Sequence, residues 1–248
     1  MCIDTKMSVH KPKQHVAPKP GDRKIFGENI KCTLIGDKSV GKTSMLLSYQ
    51  TDTYPSEYVP TILDTYSKAT TYNDKRINLQ LYDIGGEQSL ENFKGQGKIG
   101  TDVFLLCFAI DNRESFTRVS SKWLPQIQNY WFSSLSSDDE SGVRNSWWIE
   151  PIIILVGCKN DKSSTNSLLH EIRLRRPSRN KDPRTSLESQ ALVTYKEAIE
   201  MKKEIRAYLY LECCSRNTTG ITEIFNAAIN AVLQRRSSIS SRRYVLLY

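Results

Sequence analysis

Apolar runs of strand length alternate with stretches of helical period along most of this chain. Residues 30–36, "IKCTLIG", form a short apolar run that stops at a glycine, and 77–83, "INLQLYD", alternates with a period of two. Residues 102–110, "DVFLLCFAI", and 151–157, "PIIILVG", are apolar without a break, the pattern of strands buried on both faces. A fifth run covers 207–213, "AYLYLEC". Helical periodicity occupies 41–50, 113–132, 188–205 and 220–235. Alternation of this kind predicts an α/β fold with a mostly parallel sheet.

Four stretches fall outside the pattern. Residues 1–29 are rich in Lys and Pro and poor in apolar side chains, so they are expected to be a disordered N-terminal extension. Residues 133–148 form a polar insert, 162–187 a basic insert and 236–248 a basic C-terminal tail. One domain is expected over 30–235. With 248 residues, 39% of them hydrophobic, the chain can bury a sizeable core.

The net charge of +8 changes meaning once it is located. Six Lys/Arg face three Asp/Glu in 1–29, seven face three in 162–190, and four Arg face no acid in 234–248. The rest of the chain is mildly acidic. A basic globular face would suggest nucleic acid, so a nucleic-acid partner is not expected. Basic extensions instead suggest weak, salt-sensitive contact with an anionic membrane surface. The six cysteines are scattered and none is in a CxxC pair, which reads as reduced intracellular thiols. No apolar run reaches the length of a membrane span and the N-terminus has no secretory h-region, so a cytoplasmic location is expected, with peripheral membrane contact.

Candidate chemistry begins at Gly36-Asp37-Lys38-Ser39-Val40-Gly41-Lys42-Thr43, which fits G-x-x-x-x-G-K-[ST] between a strand and a helix. Backbone N–H groups of such a loop, with the helix N-terminus behind them, point at phosphate. Asp37 through Ser44 are therefore the candidate phosphate cradle, with Lys42 reaching the outer phosphates and the Thr43 hydroxyl on Mg²⁺. "GCKND" (157–161) follows the buried run at the sheet's carboxyl edge, where open α/β folds bind ligands. The Asp161 carboxylate can accept from both the N1–H and the exocyclic amine of guanine, a donor pair adenine lacks. Lys159 would lay its stem along the base. GTP or GDP is therefore the expected ligand.

With these motifs in place, the chain resembles the Ras superfamily of small GTPases over about 30–235, and within it the Rho family. "YVPTILDTY" (58–66) is similar to the family's first switch, "KWLP" (122–125) to a Rho-type turn, and "TDVFLLCFAI" (101–110) to its fourth strand. The resemblance implies a P-loop NTPase fold, a six-stranded mostly parallel sheet with helices on both faces. It implies that Thr61 closes over the terminal phosphate and Mg²⁺, that Asp83 lies behind the metal and that Gly86 gives its N–H to the phosphate. It places Tyr54 against the base, with Tyr58 counted among the nucleotide contacts, and Cys214, Ser215 and Arg216 in the loop that supports the guanine oxygen. Effectors and regulators are expected on 58–66 and 84–98. A monomer is expected, without a prenyl anchor, because the terminus lacks a Cys-a-a-X signal.

The departures from the family pattern bear on hydrolysis. Lys38 stands where the family has glycine, and Glu87 stands where it has the water-positioning glutamine, with Gln88 one place later. A carboxylate cannot donate to the transferring phosphoryl group, and a long side chain at 38 would displace an arginine finger, which contributes on the order of 10³–10⁵ in rate. Lys38, Glu87 and Gln88 are thus degenerate catalytic candidates, and slow hydrolysis is expected. The alternatives are Lys38 acting as a finger in cis, a GTP-holding scaffold without turnover, or, more distantly, a P-loop kinase or ATPase. Cys158 stands where Asn or Thr is usual and Leu63 where Phe is common.

Overall fold

A computed structural model describes residues 27–55, 61, 63–88, 90, 100–135, 150–161 and 192–245. Its six strands are β1 (Glu28–Gly36), β2 (Leu63–Tyr72), β3 (Lys75–Ile84), β4 (Val103–Ala109), β5 (Ile152–Cys158) and β6 (Leu209–Cys213). They form one sheet in the order β2-β3-β1-β4-β5-β6. Every pairing is parallel except β2 with β3. The expected six-stranded, mostly parallel sheet is therefore present.

β4 and β5 are buried at every position, which is why their sequences carry no alternation. β2 is one of the two edge strands, and periodicity alone does not reveal it. Its sequence, "LDTYSKATTY", is mostly polar and no position in it is fully buried. The usable signal is Asn73-Asp74, both at positive φ, which closes the hairpin to β3.

The helices are α1 (Lys42–Thr51), α2 (Arg113–Arg118), α3 (Leu124–Leu135), α4 (Tyr195–Glu204) and α5 (Ile221–Val245), with a π-helical turn, Val119–Trp123, joining α2 to α3. Two apolar layers cover the sheet. One packs Met45, Leu46 and Tyr49 of α1 and Phe225, Ala228 and Val232 of α5 against one face, with Tyr49 stacked on Phe225 at 3.9 Å. The other packs Trp123, Ile127 and Tyr130 with Ala198 and Met201 of α4 against the opposite face. Helices lie on both faces, as expected.

Three domain boundaries differ from the sequence reading. β1 begins at Glu28, inside the segment expected to be disordered, because Glu28 and Asn29 pair with Ile77 and Asn78. α3 runs through Leu135, into the expected polar insert 133–148. The last helix does not stop at 235 but continues to Val245, so most of the expected tail 236–248 is helical. Arg236 anchors that extension on Glu28 (3.3 Å), the Asn29 carbonyl (2.9 Å) and Asp102 (3.0 Å). Ser237 and Ser238 donate their hydroxyls back to the Gln234 carbonyl. Residues 1–26, most of insert 133–148 and the whole of 162–187 lie outside the described residues.

Candidate nucleotide site

β1 ends at the sheet position where strand order reverses direction, between β3 and β4, the place where open α/β sheets leave a crevice. The loop 37–41 turns there into α1. Gly41, the residue before the helix, has φ 117°, and no side chain caps the first helical N–H groups. An uncapped N-terminus of a ten-residue helix presents backbone donors to an anion. Val40 turns its side chain into the core, so its contribution to the site is backbone.

Lys42 is almost fully buried and donates to the carbonyls of Gly36 and Asp37, both at 2.8 Å. Burial pulls its ammonium below the ordinary lysine value, with Asp83 working in the opposite direction. A buried cation held by carbonyls and a nearby carboxylate is stabilised further by an incoming phosphate. The cleft above it has a volume of about 370 Å³ and is lined by Lys38, Lys42, Thr43, Thr61, Gly86 and Glu87 among others. A smaller cavity of about 240 Å³ adjoins it at the ends of β5 and β6.

Asp37 divides its labour. Its carbonyl holds Lys42, while its carboxylate turns away from the cleft toward the π-turn. The Trp123 indole N–H donates to Oδ1 at 2.7 Å and Arg118 pairs with Oδ2 at 2.9 Å. No local sequence signal marks the Arg118 contact, since 81 residues separate the pair.

Thr43, Thr61 and Asp83 converge. The Thr43 hydroxyl donates to Asp83 Oδ2 at 2.5 Å and lies 2.9 Å from the Thr61 hydroxyl. Asp83 is fully buried, and burial raises its pKa. Its Oδ1 has no hydrogen-bond partner among the described residues.

At the outer end of the cleft, Lys38 Nζ pairs with Glu87 Oε1 at 2.7 Å. That hydrogen bond and its charge hold the Glu87 carboxyl below the ordinary carboxylate range. The turn carrying Glu87 lies directly on the phosphate loop, since a Cβ on Gly86 would sit 2.0 Å from the Lys38 nitrogen. Gln88 also lines the cleft, next to Glu87, and Ser39 and Ser44 line it on the loop side.

The base end gathers Tyr54, Lys159, Asp161, Cys214, Ser215 and Arg216 around one cavity. Lys159 adopts φ 64°, which turns the chain sharply after β5. Asn160 donates its N–H to the Cys213 carbonyl, tying this loop to β6. Tyr58 lies outside the described residues, as does most of the expected partner surface: 58–60, 62, 89 and 91–98.

A sequence model of the Ras family matches residues 31–234. The chain belongs to the Ras family. It is therefore a small GTP-binding protein with a Ras-like α/β fold. Ras-family proteins also use Mg²⁺, and the donors here suit it: two hydroxyls and a carboxylate, all hard oxygens. The orphaned Asp83 Oδ1 is a buried acceptor that such a cation would satisfy, directly or through a water.

Proposed function

We propose that this Ras-family protein is a Rho-type switch that holds GTP and hydrolyses it slowly. The observation that carries the reading is the Lys38–Glu87 contact at the outer end of the phosphate cleft. Lys42 and the α1 N-terminus bind phosphate, and Asp161 reads the base. Thr43, Thr61 and Asp83 hold Mg²⁺, which supplies charge neutralisation at the phosphates. The step that suffers is the positioning of water. Glu87 occupies the place of an amide, accepts only, and is engaged by Lys38. The Lys38 side chain fills the space an activating protein's arginine would use. "KWLP" supports the Rho-type assignment, because its Trp123 is built into the phosphate loop through Asp37.

Effector and regulator partners are proposed on 58–66 and 84–98. A weak, salt-sensitive membrane contact is proposed for the basic extensions, with the protein otherwise cytoplasmic and monomeric. Among the described residues no helix is long and apolar enough to cross a membrane.

The test is single-turnover phosphate release from GTP-loaded protein. Lys38→Gly combined with Glu87→Gln should release phosphate faster than the parent, and each single change should fall short of the double because both act on one step. Release by the parent as fast as by the double variant would overturn slow hydrolysis and make Lys38 an internal finger.

A further inference from the structure

Both side chains expected to read the guanine are already engaged by the protein itself. Arg216 Nη1 lies 3.6 Å from Asp161 Oδ2, and Lys159 Nζ lies 3.7 Å from Asp111 Oδ1. Asp161 is mostly shielded, at 27% exposure, while the Arg216 side chain is 73% exposed and has room to swing. Guanine needs both oxygens of that carboxylate, one for N1–H and one for the exocyclic amine. A guanidinium beside the same carboxylate offers a rival set of donors and cancels the charge that attracts the base.

The neighbouring brace is weak as well. The Cys158 thiol is buried beside the Cys107 and Cys213 thiols, on the core side of the strand ends. Its neighbour on the phosphate loop, Gly41, has no side chain to meet it, and a Cβ placed there would lie 3.8 Å from the sulfur. A thiol is a poor donor compared with an amide, so the base loop and the phosphate loop lack a strong polar tie at this point.

We propose that Arg216 is a built-in competitor for the guanine-reading carboxylate, so that this protein releases and reloads nucleotide without an exchange partner. The proposal rests on the guanine-nucleotide reading of the cleft. As the base lifts, Arg216 moves onto Asp161 and no half-buried carboxylate is left bare. The nucleotide-free state, and the barrier leading to it, are lowered together. An exchange factor supplies that service from outside, whereas Arg216 supplies it within the chain. Combined with slow hydrolysis, spontaneous exchange in a GTP-rich solution keeps the protein loaded with GTP.

The experiment uses the full chain loaded with fluorescent GDP in Mg²⁺ and chased with excess unlabelled GDP. Arg216→Ala should slow release about threefold to fivefold, the range an exposed ion pair can supply. Arg216→Lys keeps the charge and should stay near the parent rate. High salt should shrink the difference between the parent and Arg216→Ala, because an exposed pair is screened. Competition with inosine diphosphate, which lacks the exocyclic amine, gives a readout that a merely structural role would not move. Removing Arg216 should increase the preference for GDP over IDP. Unchanged release from Arg216→Ala would overturn the proposal, and faster release would overturn it and make Arg216 a residue that holds the base. A failure of the parent to load guanine nucleotide at all appears before the chase, and would overturn the nucleotide reading and not only the role of Arg216.

Discussion

Lys38 and Glu87, 49 residues apart in sequence, meet at 2.7 Å on the wall of the cleft over Lys42. Both side chains are more than half exposed, so the contact arranges charge at the site and contributes little to folding. Lys38→Glu would set two carboxylates beside the phosphate. It should weaken a non-hydrolysable GTP analogue by at least about tenfold relative to GDP, from Coulomb repulsion near the surface. Adding Glu87→Lys restores a pair and should recover part of that loss. The thermal midpoint of the nucleotide-free protein should hardly move in either variant. Equilibrium binding of the two fluorescent nucleotides decides it, and equal weakening of both would show that Lys38 does not face the terminal phosphate.

Asp83 carries the prediction for the metal. Burial raises its pKa, so the metal-free fold favours the neutral acid. That stabilising bias is complete below the unfolded carboxyl value and is lost as pH rises through the raised one. A cation on the ionised carboxylate reverses the bias. Mg²⁺ should therefore raise the melting temperature of nucleotide-loaded protein, by more at neutral than at acidic pH, and should give no such shift in Asp83→Asn. A melting curve of Asp83→Asn that still responds to Mg²⁺ would place the ion elsewhere.

Trp123→Phe removes the indole donor from Asp37, whose residue is only 7% exposed. Leaving a buried carboxylate oxygen without that donor costs about 1–3 kcal/mol. Urea unfolding should show a lower midpoint with an unchanged slope. A variant as stable as the parent would mean that water or Arg118 takes over the vacated oxygen.

Acid sensitivity should come partly from α4. Thr194 and Glu197 form a capping box at its start. The Arg113 hydrogen bond first, and then the Thr194 backbone and hydroxyl, pull Glu197 from its ordinary 4.5 down to about 2. The folded pKa is depressed, so the stabilisation is present above 4.5 and fades as pH falls toward 2. Glu197→Gln should lower the melting temperature at neutral pH and flatten its decline between about pH 5 and 3. An acid limb as steep as the parent's would exclude this cap as a source.

How much of the protein is legible in its sequence depends on the range of each interaction. The phosphate loop is legible, because Gly36, Gly41, Lys42 and Thr43 act within one turn and their spacing is the chemistry. β4 and β5 are legible, because burial on both faces leaves an unbroken apolar run. β2 is not, since only Leu63, Tyr66 and Tyr72 among its ten residues set large apolar side chains against the core layers. The end of α5 escapes for another reason. "RRSSISSRR" has no amphipathic period, and what holds its start is Arg236 reaching acids more than 130 residues earlier in the chain. The Lys38–Glu87, Arg118–Asp37 and Arg216–Asp161 pairs are of the same kind. Each is present in the sequence as two letters, and only the fold brings them together.

The π-helical turn at Val119–Trp123 sets the phase of α3. The Leu124 N–H reaches back five residues to the Val119 carbonyl, so the turn holds one residue more than an α-helical one. That extra residue fixes the angular position of α3. Trp123 falls on Asp37, and Ile127 and Tyr130, four and seven places on, fall on the sheet. The turn already absorbs its one surplus residue, so inserting a further residue into 119–122 would rotate the helix beyond it by about 100°. The indole would leave the phosphate loop, and the apolar stripe of α3 would swing off the core. In this stretch the protein should accept many changes of letter and no added residue.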